Sequence, residues 1–81
     1  MARLPRDPSG TDLARALEVF GDAVTRQTGS HLRLTTQQHG EHHLTIPSHP
    51  QLRVGTLAAI LGEVARHRGE DRAGIVEQLF G

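Results

Sequence analysis

An α+β fold, running helix, three-stranded antiparallel sheet and second helix in that order, is predicted by three features of this 81-residue sequence. Apolar residues recur at helical spacing near the start and again in the second half. Between those stretches the apolar period drops to two. Glycine- and proline-bearing turns then cut the middle into pieces of strand length. Helices covering one side of such a sheet give two layers, with the other side of the sheet polar and open.

Residues 1–10 read as a turn-rich lead. Ser9 with Asp12 has the form of a capping box. Leu13, Ala16, Leu17 and Phe20 follow at i, i+3, i+4 and i+7, which predicts a helix ending at Gly21. Residues 23–27 are a short β-branched run, closed by a turn at Thr28-Gly29-Ser30. Residues 31–37 alternate, with Leu32, Leu34 and Thr36 on one face and His31, Arg33 and Thr35 on the other. After a turn at residues 38–41, residues 42–46 alternate again, Leu44 and Ile46 opposing His43 and Thr45. Pro47 and Pro50 rule out further regular pairing, so residues 48–53 form a loop. From Val54, Leu57, Ile60, Leu61, Val64 and Ala65 repeat the helical stripe until Gly69. In the tail, residues 70–81, Asp71 can cap a short last helix, although Gly74 works against it. No repeat or linker interrupts the chain, so residues 1–81 are expected to form a single domain.

Composition excludes several classes. With no cysteine, disulfides and thiolate metal sites are ruled out. No apolar run approaches the length of a membrane span. The segment Met1–Arg6 lacks the apolar stretch of a secretory signal, so a soluble cytoplasmic protein is expected. Nine basic residues balance nine acidic ones, so no bulk field draws the chain to phosphate. All the cations are arginine, the side chain suited to bidentate phosphate contacts. Any attraction to nucleic acid must therefore come from local placement.

The stretch Arg26-Gln27-Thr28-Gly29-Ser30-His31 carries the most chemistry. Gly29 lets backbone approach a ligand, and successive N–H groups at such a turn can cradle an anion. Ser30 adds a hydroxyl. His31 opens the next strand on its polar face, with Arg33 pointing the same way. An imidazole that exchanges a proton near neutral pH, beside a guanidinium that can hold charge on phosphorus, suits phosphodiester cleavage. The plainer account is a tight turn followed by a surface histidine. A second stretch runs Thr45-Ile46-Pro47-Ser48-His49, then Leu52-Arg53-Val54-Gly55-Thr56-Leu57. Thr56 lies where a helix start exposes N–H groups to a phosphate, although Gly55-Thr56 also serves simply to begin a helix.

Together, Arg-Gln-Thr-Gly-Ser-His, Ile-Pro-Ser-His and Val-Gly-Thr-Leu-Ala-Ala-Ile-Leu at these separations resemble the HicA toxin family. The family's members are ribonucleases acting on mRNA in bacterial and archaeal toxin–antitoxin pairs. The resemblance is ungapped from Leu13 to His31 and runs from about Pro5 to Leu61, weakening beyond. It implies a fold like the double-stranded-RNA-binding domain and endonucleolytic cleavage of mRNA that depends on His31. It also implies a HicB-like antitoxin as partner, and neither metal nor organic cofactor. Arg26, Thr28, Gly29, Ser30, Arg33, His43, His49 and Thr56 are the expected RNA contacts. Asp22 and Leu34 depart from the family, standing where many members carry aromatics. The chain is also neutral where members tend to be basic, which reduces counterion release on RNA binding.

The other histidines read less sharply. His39, His42 and His43 cluster at a turn, but His42 and His43 face opposite ways on a strand, so solvated turn residues are expected in preference to a zinc site. His43 shares the face of His31 and can reach substrate. His49 is a candidate second imidazole, and His67 a cation at a helix end. Two other functions fit the same fold: a non-catalytic RNA-binding or regulatory module, and a small domain whose polar sheet face docks another protein.

Overall fold

The computed structural model describes residues 8–81, so most of the N-terminal lead, residues 1–7, lies outside the described residues. The order is α1 (Gly10–Ala16), a 3₁₀ turn (Leu17–Phe20), β1 (Ala23–Thr28), β2 (His31–Thr36), β3 (His42–Pro47), α2 (Val54–Arg68) and α3 (Arg72–Phe80). This is the expected α+β arrangement, like that of the double-stranded-RNA-binding domain. The strands form one antiparallel sheet in the order β1-β2-β3.

The capping box forms as predicted. The Ser9 hydroxyl accepts from the Asp12 N–H at 2.9 Å, and the Asp12 carboxylate accepts from the Ser9 N–H at 3.3 Å. The first helix differs from expectation in its last turn, which tightens into 3₁₀ form. Three-residue periodicity eclipses Leu17 and Phe20, and both are buried. Gly21 then ends the element at φ 80°, a left-handed conformation that glycine adopts without Cβ strain. The Thr36 hydroxyl, on the core side of β2, donates to the Phe20 carbonyl at 2.8 Å, so this buried polar group is satisfied.

Leu32, Leu34, Leu44 and Ile46 turn inward from β2 and β3, where α1 and α2 cover them. The cover stops short of β1, all of whose residues are exposed, and Val24 on its helix side is half-exposed. Register shifts in β1 between Val24 and Arg26. The extra residue, Thr25, leaves Val24 opposite Leu34 on the inner side and Arg26 opposite Arg33 on the outer side. α3 packs on α2, and the Asp71 side chain caps it by accepting from the Gly74 N–H at 2.7 Å. The glycine that weakened the prediction supplies the capped donor.

One histidine expectation is corrected. His42 is half-buried, not a solvated turn residue: its ring stacks on that of His67 at 4.2 Å between centroids, and its Nε2 lies 3.2 Å from Glu63. His67 lies in the last turn of α2, as expected. Its Nε2 donates to the Gln38 carbonyl at 2.9 Å, tying the end of α2 to the β2–β3 turn.

Candidate functional site

The open face of the sheet is built in rows across the three strands. Thr28, His31 and Pro47 form one row, Arg26, Arg33 and Thr45 the next, and Thr35 with His43 the one beyond. Alternation on β2 sends Leu32 and Leu34 into the core, which obliges His31, Arg33 and Thr35 to face solvent. His31 thus lies on the middle strand, immediately after the hairpin turn Gly29-Ser30. Gly29 adopts φ 51°, as the first central position of a tight two-residue hairpin requires. Arg26, Thr28, Gly29, Ser30, His31 and Arg33 are all exposed. The structure therefore brings together every expected residue of the first stretch.

The second stretch joins them through the backbone. The Ser48 N–H donates to the Ser30 carbonyl at 2.7 Å, continuing the β2–β3 pairing into the loop. The Gly10 N–H donates to the His49 carbonyl at 3.0 Å, and the Leu52 N–H to the Pro8 carbonyl at 2.9 Å. Any Cβ at Gly10 would collide with the Pro47 carbonyl, so the close approach of α1 requires glycine there. The loop at residues 48–53 is therefore strapped down on both sides, with Leu52 buried beneath it. Its outer surface and the start of α2 enclose an open pocket of about 350 Å³ lined by Pro47, His49, Gln51, Leu52, Arg53 and Thr56.

Arg53 lies within the second stretch, but sequence reasoning gave it no role. It occupies the N-cap of α2 with no side-chain capping bond, and no acidic residue stands in the first turn. A signal was present, because arginine replaces the Ser, Thr, Asp or Asn that usually satisfies this position. The exposed N–H groups and a guanidinium together favour an anion there.

His43 is on the expected face but not beside His31. It pairs across from Thr35, four residues along β2, or roughly 13 Å at strand spacing. Its ring is also engaged. Nε2 lies 3.1 Å from the Glu41 carboxylate and Nδ1 2.8 Å from the Thr35 hydroxyl, which itself meets the Thr25 hydroxyl at 2.9 Å. A carboxylate only accepts, so Nε2 carries the proton and Nδ1 accepts in the neutral ring. Hydrogen bonds from Gln37 and then His43 hold the Glu41 carboxyl below its ordinary pKa.

Behind the sheet, Asp22 is 5% exposed and its Oδ1 has no hydrogen-bond partner. Burial raises its pKa, while His42, His67 and Arg68 nearby pull it back down. A second open groove, about 330 Å³ between α1 and β1, includes Asp22 and Val24 in its wall. That groove lies on the helix side, away from His31. Among the described residues, no three His, Asp or Glu side chains group so as to hold a metal ion, and no helix is long and apolar enough to cross a membrane.

A family model described as the HicA toxin of bacterial toxin–antitoxin matches residues 10–69. The matched span includes every candidate residue from Arg26 to Thr56. No curated protein and no solved structure gives a significant match to the chain.

Proposed function

Because the chain belongs to the HicA family, toxins of bacterial toxin–antitoxin pairs, we propose that it is an endoribonuclease that cleaves mRNA in the cytoplasm with His31 exchanging the proton. The observation that carries this reading is the position of His31. It is an exposed imidazole on the middle strand, flanked by a glycine turn on one side and two guanidiniums on the other. Phosphodiester cleavage through the ribose 2′-hydroxyl asks for groups that move protons and positive charge to stabilise the phosphorane, and these residues supply both kinds. No metal is needed for that route.

Roles follow from placement. Arg26 and Arg33 hold the phosphate beside His31, and the Gly29-Ser30 turn with Thr28 lets the backbone come close. His49, Arg53 and Thr56, lining one pocket at the start of α2, contact the RNA backbone where it leaves the sheet. His43, roughly 13 Å along the sheet, contacts a nucleotide further along the strand. Since net charge is zero, these local cations supply the attraction.

The test is incubation of purified protein with a defined mRNA, with and without EDTA, across pH. The expected result is discrete internal cuts that survive chelation, with an optimum in the imidazole range, roughly pH 6 to 8. RNA binding without cuts would instead mark a non-catalytic RNA-binding module. Activity lost to EDTA and restored by a divalent ion would overturn the metal-free route.

A further inference from the structure

We infer that His49 is the second proton-transfer group of the reaction, acting on the same phosphodiester as His31. The inference rests on the ribonuclease reading above and goes beyond it by assigning the partner imidazole. A 2′-hydroxyl attack needs two proton movements. One group takes the 2′-hydroxyl proton as the 2′-oxygen bonds to phosphorus, and another gives a proton to the 5′-oxygen as its bond to phosphorus breaks. The products are a 2′,3′-cyclic phosphate and a 5′-hydroxyl, and the two groups end with their protonation exchanged, to be reset by water. A single side chain serves both steps poorly, since attacking and leaving oxygens lie on opposite sides of phosphorus.

His43 and His49 are two further exposed imidazoles among the expected RNA contacts, and geometry chooses between them. His43 is four residues along the sheet from His31, roughly 13 Å, about two phosphates away, and its ring is held by Glu41 and Thr35. His49 is placed quite differently. His31 follows Ser30 and His49 follows Ser48, and those two serines are joined backbone to backbone at 2.7 Å. Pro47 is also the cross-strand partner of His31. The His49 main chain is fixed by the Gly10 N–H, so its exposed ring is presented from a strapped loop. Arg53, lining the same pocket, supplies positive charge for the phosphate between the two rings.

The experiment compares wild type, His31→Ala, His49→Ala and His49→Gln on two substrates: an RNA oligonucleotide and a uridine 3′-(4-nitrophenyl phosphate), whose leaving group needs no proton. On RNA, each alanine variant should lose about 10²-fold or more in kcat. His49→Gln, which keeps polarity but cannot titrate in this range, should fall with His49→Ala. On the nitrophenyl ester, one of the two alanine variants should recover most of the wild-type rate, and that residue is the acid. Wild-type kcat on RNA for His49→Ala or His49→Gln, or recovery of both or neither variant on the ester, would overturn the assignment. Failure of the wild-type chain to cut RNA would remove the ribonuclease reading and this one together. Wild-type cutting with an indifferent His49→Ala would remove this one alone.

Discussion

Arg26 and Arg33 stand directly across from each other on β1 and β2, two exposed guanidiniums in one cross-strand pair. Like charges in that position repel and cost stability, by a few tenths of a kcal/mol at an exposed site. An arrangement that opposes folding on its own finds its use when an anion lies between the two side chains. Arg33→Thr should therefore leave stability unchanged or raise it slightly, while weakening RNA binding. The single-strand salt slope should fall by about 0.7 for the lost phosphate contact. Filter binding across a salt series with a urea melt checks both signs, and an unchanged slope with unchanged affinity would take Arg33 off the RNA path.

Asp22 gives a prediction with the opposite pH logic from most carboxylates. Burial raises its pKa above the ordinary value of 3.8, with His42, His67 and Arg68 offsetting part of the rise. The native state therefore holds this proton more tightly than the unfolded chain. Its contribution favours folding below pH 3.8 and is lost as pH rises through the raised value. Asp22→Asn should thus stabilise the protein at pH 7, by about 1 kcal/mol, and the gain should shrink as pH falls toward 4. Urea denaturation at the two pH values measures this. An equal gain at both would show that folding does not raise the Asp22 pKa.

The partner should cover the open face. Antitoxin acidic side chains can pair with Arg26 and Arg33 in bidentate geometry and take the place of RNA phosphate. Such a complex should weaken with salt and compete with RNA. Hydrogen exchange on the complex should show protection over residues 23–37 and the first turn of α2. Protection confined to residues 71–81, with cleavage unaffected, would mean that inhibition does not work by occlusion.

Wherever local chemistry decides, the fold was readable from sequence. Ser9 and Asp12 announce α1, Gly21 and Gly69 end helices, Asp71 caps α3, and alternation on β2 assigns His31 and Arg33 to the open face. What stayed hidden depends on long-range register. The Arg26–Arg33 pairing requires the extra residue Thr25, which no turn or period in β1 signals. The stacking of His42 on His67 joins the start of β3 to the end of α2, and only their packing brings the rings together. Likewise the Ser48–Ser30 bond, which draws His49 toward His31, follows from the exact register of β3. Arg53 was legible in principle as a poor N-cap but carries no motif of its own.

The central claim is that His31 carries RNA cleavage, and transcript integrity after induced expression tests it most directly. Wild type and His31→Ala should accumulate to equal soluble levels, because an exposed strand residue changes stability by no more than about 0.5 kcal/mol. The account predicts fragmented mRNA and arrested growth with wild type, and intact mRNA with normal growth for His31→Ala. Fragmentation by His31→Ala at the wild-type level would contradict it.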